Sequence, residues 1–396
     1  MKLIDVAEFY AEQGGGVKTY LHQKLRVGSA MGHDISVLAP GPETCIEDKL
    51  GGRILWVKSP QHKIDPRYHV FDKASPVHDL LDSERPDVLE CSSPWRGAAI
   101  ASSWQGRALT SFFIHQDPVA VYPQTFLGRF LGEDRVDWLF GWFWRYLRRT
   151  AAKFDTAVVS GEWLAARLGR FGLNEPFAAP FGIEKDQFAP ALGSEETRRE
   201  MLAACGVNDP NAKLLISVSR HHPEKRLGMV MDGFEKARRR RPMGLYLIGD
   251  GPFRKFVEKK AALIPHVHVA GLVPERALLA KALASADAMV HGGAAETFGL
   301  VIAEGLSAGA PLVVPSVGGA ADLAAPEYAE FYRPGDSDGF AAATLRLLGR
   351  DPKTLKAAVA KAVTTRILTP EAHFERLFGH YETLLAERRA VYEPTA

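Results

Sequence analysis

The chain has 396 residues, 46% of them hydrophobic and 24% charged, which is the balance of a soluble globular protein long enough for two domains. Its net charge of +2 is too small to indicate a nucleic-acid partner. The three cysteines are scattered and lack CxxC spacing, which argues against a disulfide framework and against a zinc site and fits a reducing compartment.

The N-terminal stretch, MKLIDVAEFY, has no basic region followed by a long apolar run, so we expect no signal peptide. No run of eighteen uninterrupted apolar residues occurs, and we therefore expect no membrane-spanning helix. These patterns predict a cytoplasmic protein.

Short β-branched runs alternate with helical patterns in two successive series. The first series contains the predicted strands KLIDVA, HDISVLAP, RILWVK, PDVLECS, LTSFFIH and DTAVVS, and the second contains KLLISVS, GLYLIGDG, HVHVAG, DAMVHGG and PLVVPS. Helices are predicted between them, among others over residues 17–31, 75–84, 227–239, 253–263 and 275–284. This alternation predicts an α/β protein with two facing, doubly wound, Rossmann-like domains.

A stretch rich in proline, glycine and charge, FAPALGSEE, separates the two series. We predict an N-terminal domain over residues 1–188, a C-terminal domain over 189–370, and a final helical segment, 371–396, that crosses back to the first domain. Ligands of open parallel sheets bind beyond the carboxyl ends of the strands. The site is therefore expected in the cleft between the two domains.

Three consecutive glycines, Gly14, Gly15 and Gly16, follow the first predicted strand and precede a helix. Glycine lets the backbone approach a ligand and leaves helix N–H groups free to face an anion. The stretch matches neither GxGxxG nor a Walker motif. On this pattern alone, a ligand contact and a flexible turn stay equal alternatives.

The segment RVDWLFGWFWRYLRRTAAK concentrates aromatic residues beside arginines: Trp138, Phe140, Trp142, Phe143, Trp144 and Tyr146 lie next to Arg145, Arg148 and Arg149. Such a mixture suits a membrane interface or a lipid-linked acceptor. A helix that is apolar on most sides is, however, usually buried. Burial and peripheral contact of residues 138–149 with the inner face of the plasma membrane both stay open.

Two cations follow the first strand of the second series. Arg220 comes directly after the strand, and Lys225 follows five residues later, before a helix. A guanidinium fork and an ammonium group together suit a diphosphate. Solvent-facing loop cations are the alternative, but the end of a strand is the expected rim of the cleft.

Two carboxylates, Glu296 and Glu304, stand eight positions apart in ETFGLVIAEGLSAGAP. The N–H groups of Phe298, Gly299 and Leu300 are predicted to be uncapped donors at the start of a helix, which is a phosphate-binding arrangement. Glu304 is expected about 12 Å further along that helix. Glu296 could then accept from hydroxyls on one side of a diphosphate and Glu304 from hydroxyls on the other side, as a nucleotide sugar requires.

These motifs together resemble the retaining glycosyltransferases of the GT-B fold, the group 1 glycosyltransferases that include glycogen synthases and phosphatidylinositol mannosyltransferases. The resemblance rests on Glu296-x7-Glu304, on Arg220 with Lys225 in SRHHPEKR, and on the segments LIGDGP and SVGGAADL. It spans nearly the whole chain. It implies that the N-terminal domain binds the acceptor and that the C-terminal domain binds a nucleotide-sugar donor.

The resemblance also implies roles for individual residues. The implied catalytic residues are His115, Arg220, Lys225 and Glu296. Those implied to bind the donor are Gly15, Gly16, Arg220, Lys225, Gly249, Leu272, Val273, Glu296, Phe298, Gly299, Leu300 and Glu304. Two positions depart from the family pattern: Phe181 stands where asparagine is common, and Gly292 where proline is frequent.

The implied reaction moves a hexose from a UDP-, GDP- or ADP-sugar to a hydroxyl of a lipid or lipid-linked saccharide, by front-face displacement with retention. Neither a metal nor another cofactor is implied. Two alternatives stay open from the residues. One is a nucleotide-sugar 2-epimerase on the same fold, and the other is a nucleotide-sugar-binding protein without turnover.

Overall fold

The computed structural model describes residues 1–11, 16–63 and 65–392, and within these ranges the chain forms two β-sheets. The first has the strand order β3-β4-β2-β1-β5-β6-β7-β8, and its neighbouring strands are parallel except for the antiparallel pair β3–β4. Its strands are β1 (Lys2–Val6), β2 (Asp34–Gly41), β3 (Cys45–Lys49), β4 (Gly52–Lys58), β5 (Val88–Cys91), β6 (Leu109–Ile114), β7 (Thr156–Val159) and β8 (Phe177–Ala178).

The second sheet is parallel throughout and has the order β11-β10-β9-β12-β13-β14. Its strands are β9 (Lys213–Val218), β10 (Met243–Ile248), β11 (Val267–Gly271), β12 (Ala288–Val290), β13 (Leu312–Pro315) and β14 (Ala329–Tyr332). In both sheets the strand order reverses beside the first strand, the doubly wound arrangement that opens a crevice at the carboxyl ends.

Helices connect the strands and cover both sheets. They are α1 (Gly16–Ala30), α2 (Ser75–Glu84), α3 (Arg96–Ala101), α4 (Thr125–Leu131), α5 (Glu133–Leu139), α6 (Gly141–Ala151), α7 (Glu162–Arg170), α8 (Glu195–Ala204), α9 (Leu227–Arg238), α10 (Arg254–Ala261), α11 (Arg276–Ala284), α12 (Leu300–Ser307), α13 (Gly319–Leu323), α14 (Ser337–Gly349), α15 (Pro352–Arg366) and α16 (Pro370–Tyr392).

These two sheets confirm the predicted fold class, an α/β protein with two doubly wound, Rossmann-like domains. Each predicted strand has a counterpart, but β3, β8 and β14 were not predicted. β3 pairs at an edge and carries CIEDK, a largely exposed and charged run without the apolar pattern of a buried strand. β8 has two residues and β14 four, too short to give a periodic signal.

Each sheet is buried on both faces, which explains its continuous apolar strands. In β1, Leu3 packs with α1 and α16 on one face, whereas the adjacent Ile4 packs into a separate cluster on the other face. In β9, Leu214 and Leu215 likewise divide between two clusters. The alternation of side chains along a strand therefore supplies both cores at once.

The last helix, α16, packs against the first sheet. Phe374, Leu377 and Tyr381 belong to the same buried cluster as Leu21 of α1. The Tyr381 hydroxyl lies 2.7 Å from Glu90 Oε2. Within the described residues the chain thus returns to its N-terminal half, while the predicted domain limits at 188 and 370 stay predictions.

The two lobes meet through loops at the carboxyl ends of their strands. Thr297, after β12, donates its hydroxyl to the carbonyl of His115, after β6, at 2.7 Å. Asp322 in α13 accepts from the backbone N–H of Trp163 at 2.6 Å. These bonds define a cleft whose walls are the loops in which most of the predicted site residues lie.

Candidate active site

Lys225 and Glu296 form an ion pair in the second lobe, with 2.6 Å between Lys225 Nζ and Glu296 Oε2. Lys225 ends a short 3₁₀ turn, Pro223–Lys225, after β9, and Glu296 lies in the loop after β12. β9 and β12 are neighbours in the sheet, so their carboxyl ends bring the two loops together. The sequence predicted both residues for the site but did not predict that they contact each other.

Both members of this pair are charged at neutral pH. Burial alone would raise the pKa of Glu296, but the charge of Lys225 and the nearby His291 lower it well below its ordinary value. Burial would likewise lower the pKa of Lys225, but Glu296 and Glu224 outweigh that effect and raise it. Because Oε2 contacts Lys225, Glu296 keeps Oε1 as an acceptor for a ligand hydroxyl.

His291 is a further member of this group, and the sequence analysis did not single it out. It follows β12 directly, is almost fully buried, and places Nε2 3.4 Å from Glu296 Oε2. Neither ring nitrogen has a hydrogen-bond partner among the described residues. Its position at the end of a strand was the available signal.

The loop after Glu296 leads into α12, whose N-terminal end is formed by Phe298, Gly299 and Leu300. We call these three residues the α12 tip. The helix begins at Leu300, so Phe298 and Gly299, which were predicted at its start, precede it; Gly299 adopts a left-handed conformation with φ 89°. The backbone N–H groups of the tip have no acceptor among the described residues, so they can face an anion.

Two glycines of the segment SVGGAADL support the α12 tip from behind. Gly319 donates its N–H to the carbonyl of Glu296 at 2.6 Å. A Cβ added at Gly319 would lie 2.5 Å from the nitrogen of Phe298, and one at Gly318 would lie 2.6 Å from the carbonyl oxygen of Ala294. Only glycine permits this approach, which fixes the loop that carries Glu296.

Glu304 lies in the middle of α12 and is buried. Its Oε1 accepts from Arg276 Nη2 at 2.8 Å. Burial raises the pKa of Glu304 although Arg276 opposes the shift. Arg276, the first residue of α11, was missed from the sequence, since a cation at the start of a helix usually points into solvent. Its charge supplies the partner that a carboxylate in this apolar helix requires.

His115 follows β6 in the first lobe, and its backbone carbonyl contacts Thr297 of the second lobe. Its ring stacks on Phe113, with 4.3 Å between centroids, and its buried Nε2 has no partner among the described residues. Burial, with a smaller contribution from the charge of Lys24, lowers the pKa of His115 to about 3. The imidazole is therefore neutral and keeps one nitrogen for a ligand.

Phe181 occupies the position where the family pattern commonly has asparagine. Its ring lies 5.8 Å from that of His115 and 5.4 Å, edge-on, from that of Phe298 at the α12 tip. An aromatic contact between the lobes therefore stands where a hydrogen bond was expected. Phenylalanine in place of the family's asparagine thus keeps the two lobes in contact, and no charged group is lost.

The other residues predicted to bind the donor differ in their exposure. The Arg220 side chain is mostly exposed, with 3.6 Å between its Nη2 and Glu224 Oε1. It makes no ion pair with Glu296 among the described residues. Gly249 closes the turn after β10, where an added Cβ would lie 1.9 Å from the carbonyl oxygen of Ser219. Leu272 is exposed and Val273 half-buried in the loop after β11.

The glycine-rich turn of the first lobe is only partly described. Gly14 and Gly15 lie outside the described residues. Gly16 begins α1 and is exposed, and an added Cβ there would meet nothing within 4 Å. The role of Gly15 and Gly16 near the diphosphate stays a prediction.

Asp117, which follows His115 in a His-x-Asp pattern, does not enter the cleft. It is fully buried, accepts from the N–H groups of Val119 and Ala120, and forms an ion pair with Arg167. Arg167 also binds Asp137 at 2.9 Å. Asp117 therefore holds the loop after β6 in place.

Two family models match successive parts of the chain, one described as "Glycosyl transferase 4-like domain" over residues 15–178 and one as "Glycosyl transferases group 1" over residues 212–350. Together they span both lobes. The chain belongs to the group 1 glycosyltransferases. The ion pair, the α12 tip and Glu304 all lie in the part that the second model matches.

Similar proteins extend over the full length of this glycosyltransferase. It is 26% identical to the GDP-mannose-dependent alpha-(1-6)-phosphatidylinositol dimannoside mannosyltransferase of Mycobacterium tuberculosis, over 98% of this chain and 94% of that protein. It is 29% identical to a sulfoquinovosyl transferase of Arabidopsis thaliana, over 86% of this chain and 64% of that protein. The sucrose-phosphate synthase of Thermosynechococcus elongatus shares its GT-B fold, with a TM-score of 0.75 at 17% identity over 98% of this chain and 100% of that one.

Glycosyltransferase activity follows from this membership, as the sequence predicted. The family assignment favours transfer over the epimerase and over the binding-only alternative.

Proposed function

We propose that this glycosyltransferase moves a hexose from a nucleoside diphosphate sugar, with GDP-mannose as the leading candidate, to a hydroxyl of a lipid or a lipid-linked saccharide. The observation that carries the proposal is the Lys225–Glu296 ion pair beside the α12 tip, because it combines an ammonium group, free N–H donors and an acceptor oxygen. The full-length similarity to a GDP-mannose-dependent enzyme supports the choice of donor.

In this proposal the diphosphate lies between Lys225, Arg220 and the α12 tip. Arg220 is exposed at the rim and can turn toward a ligand. Glu296 Oε1 accepts from hydroxyls of the transferred sugar, and Glu304, held by Arg276, accepts from the ribose. Gly249, Leu272 and Val273 flank the nucleoside.

The reaction is proposed to proceed with retention of the anomeric configuration. The bond from the anomeric carbon to the β-phosphate oxygen breaks, and the acceptor oxygen bonds to the same face of that carbon. The acceptor proton passes to the departing phosphate oxygen. Lys225, Arg220 and the α12 tip stabilise the negative charge that develops there, while neutral His115 hydrogen-bonds the sugar.

We propose that these cations and N–H groups hold the diphosphate without a divalent metal. Within the described ranges, no three His, Cys, Asp or Glu side chains are grouped to hold a metal ion. Donor binding measured with and without a chelator tests the point, and a loss of affinity with the chelator would contradict it.

A product assay tests the donor and the stereochemistry together. The protein is incubated with GDP-mannose and phosphatidylinositol dimannoside, chosen because the M. tuberculosis relative is named for it, and released GDP is measured. Release that depends on the acceptor, with an α-linked product by NMR, is expected. Equal release without acceptor would contradict transfer, and a β-linked product would contradict retention.

If GDP-mannose fails, thermal stabilisation by UDP-glucose and ADP-glucose identifies the donor instead, because a bound ligand raises stability by mass action. Absence of stabilisation by all three nucleotide sugars would contradict the donor site itself.

We further propose that the aromatic segment brings the enzyme to a membrane from the cytoplasmic side. Phe143 and Trp144 are buried in the first core, but Trp138 and Trp142 expose 80% and 57% of their surface. Arg145 lies exposed beside Trp142. The three cysteines are unpaired, which supports a reducing compartment.

Vesicle binding tests this contact. Trp138→Ser/Trp142→Ser is expected to weaken binding to phosphatidylglycerol-containing vesicles, whereas Trp144 is unsuitable because its ring stacks on Phe171 inside the fold. Equal binding by the variant and the parent protein would contradict the proposal. None of the helices that the structure describes is both long and apolar enough to span a bilayer.

A further inference from the structure

A groove of about 1500 Å³ separates the α4–α5 region of the first lobe from α10 of the second. Phe130 and Leu131 line one side, and Phe253 and Phe256 line the other. Neither Lys225 nor Glu296 lines it, but His222, Pro223 and Arg226 do, so the groove adjoins the turn that carries Lys225. Its walls carry exposed apolar side chains from both lobes together with charged ones, among them Glu133, Asp134, Arg226 and Lys260.

Aromatic rings form a continuous path across the lobe boundary at this groove. Tyr122 of the first lobe contacts His222 of the second, with 6.4 Å between ring centroids. His222 lies 6.5 Å from Phe253, and Phe253 lies 6.3 Å from Phe256. The exposed aromatic surface of the first lobe therefore continues onto α10.

The surface also extends to the tryptophans discussed above. Asp134 and Arg135 of α5 line the groove. Trp138 follows Asp134 by four residues in the same helix and so lies on the same face. Trp138 thus shares a face of α5 with a residue that lines the groove, and Phe253 and Phe256 line the opposite side.

On α10 the exposed apolar residues are separate from those that hold the helix to the fold. Val257 and Ala261 are buried against the second core. Phe256 is half exposed and Leu263, just past the helix, exposes 77% of its surface. Because Val257 and Ala261 already attach α10 to the core, the fold does not require Phe256 and Leu263 to be apolar.

Charge indicates what this apolar face contacts. Helix α10 carries four cations and one acid, and α6 of the first lobe carries three arginines and no acid, so each is net positive by three although the whole chain is only +2. Arg254 and Lys260 of α10 are paired with acids, whereas Lys255 and Lys259 have no acidic partner among the described residues. Helix α5, which carries Trp138, has three acids and one arginine, so the positive charge of the first lobe lies on α6. Aromatic residues among clustered cations match an anionic lipid surface.

We propose that α10 of the second lobe docks on the same anionic bilayer as the aromatic helices of the first lobe, so that both lobes contact the membrane. The inference rests on the membrane contact proposed above and extends it. The groove between the lobes then opens toward the lipid, and the bilayer favours the arrangement in which the lobes are together.

The test compares vesicle co-sedimentation of the full-length protein and four double variants. The vesicles are phosphatidylcholine alone and phosphatidylcholine with phosphatidylglycerol. Phe256→Ser/Leu263→Ser is expected to bind the anionic vesicles about tenfold more weakly, because both side chains lose apolar contact. Ile46→Ser/Leu50→Ser, at exposed apolar positions of the first sheet's edge, is the matched control and is expected to bind like the parent protein.

A second variant, Lys255→Glu/Lys259→Glu, keeps the apolar residues and changes only charge. It tests the proposal even if Phe256→Ser/Leu263→Ser does not fold. It is expected to lose the response to phosphatidylglycerol while thermal stabilisation by the nucleotide sugar is unchanged. If both α10 variants bind like the parent while Trp138→Ser/Trp142→Ser does not, the α10 proposal is wrong and the first-lobe contact stands.

If the parent protein ignores the anionic vesicles, both membrane proposals are wrong. Sedimentation velocity without lipid provides a further arm. If the parent protein is a dimer and Phe256→Ser/Leu263→Ser is a monomer with unchanged vesicle binding, the face is a contact between copies of this chain, and the lipid proposal is overturned.

Discussion

His115 and His373 lie against the same ring, Tyr20, where the first lobe meets the cleft and α16. His373 contacts the Pro180 carbonyl through Nδ1 at 2.9 Å and the Tyr20 hydroxyl through Nε2 at 3.1 Å. A neutral imidazole can donate to the carbonyl and accept from the hydroxyl. Burial lowers the pKa of His373 to about 3.

This arrangement predicts a loss of stability in acid. The folded-state pKa of His373 lies below the unfolded value of about 6.5. Between those two values the unfolded chain binds more protons than the folded one, so the free energy of unfolding decreases as the pH is lowered. From pH 7.5 to 5.5 we expect His373 to contribute a loss of roughly 1.4 kcal/mol. Denaturant unfolding of the parent protein and of His373→Gln at both pH values measures it.

The half-exposed His69 provides the control, as His69→Gln. The parent protein and the control are expected to lose more stability in acid than His373→Gln does. Parallel pH dependence of all three proteins would contradict a buried neutral His373.

At the scale of elements, α12 depends on the glycines packed behind its tip. Gly319→Ala would place a methyl group 2.5 Å from the Phe298 nitrogen and displace the loop that carries Glu296. We expect a loss of stability of about 1–3 kcal/mol and donor affinity at least about tenfold weaker. Thermal unfolding and calorimetric titration with GDP-mannose measure the two effects.

Gly379→Ala in α16 is the matched control, because an added methyl group there meets nothing within 4 Å. It is expected to leave donor affinity unchanged and to stabilise the protein slightly. If Gly319→Ala binds the donor as tightly as Gly379→Ala, the close packing behind the tip has no bearing on the site.

Elements show clearly what the sequence could and could not predict. Alternating apolar strands and helices predicted both sheets, because strands buried on two faces must be apolar throughout. Phe298 and Gly299 were predicted at the start of α12 but precede it, since the left-handed conformation of Gly299 leaves no signal in the apolar pattern. The break between α5 and α6 at Phe140 was also missed, because both helices are aromatic and share one apolar pattern.

Individual contacts were less predictable than elements. Glu296 and Lys225 are separated by 71 positions, and only the adjacency of β9 and β12 brings them together. Arg276 reaches Glu304 in the same way, through the position of α11 beside α12. The residue types indicated the chemistry, but the pairing required the strand order.

For the whole molecule, the contact between the lobes includes a helix cap in which a residue of one lobe caps a helix of the other. Asp322 of the second lobe accepts from Trp163 N–H in the first turn of α7, in the first lobe. A carboxylate at a helix N-terminus is stabilising. Burial raises the pKa of Asp322, although the Trp163 N–H opposes the shift.

Asp322→Ala is therefore expected to shift the lobes toward an open arrangement, with a larger radius of gyration by small-angle X-ray scattering. Asp351→Ala is the matched control, because Asp351 caps α15 from within its own lobe through Thr354 N–H. Each variant should lose about 1 kcal/mol of stability. An unchanged radius of gyration in Asp322→Ala would contradict its role between the lobes.

The central claim, that the Lys225–Glu296 pair and the α12 tip bind the donor diphosphate, is tested most directly by calorimetric titration of GDP-mannose. Lys225→Met/Glu296→Gln removes both charges together, so neither is left buried and unpaired, and Lys236→Met, at a lysine paired with Asp338 in the same lobe, is the control. We predict donor binding about 10- to 100-fold weaker in the double variant and unchanged in the control. Equal affinity of the double variant and the parent protein would contradict the account.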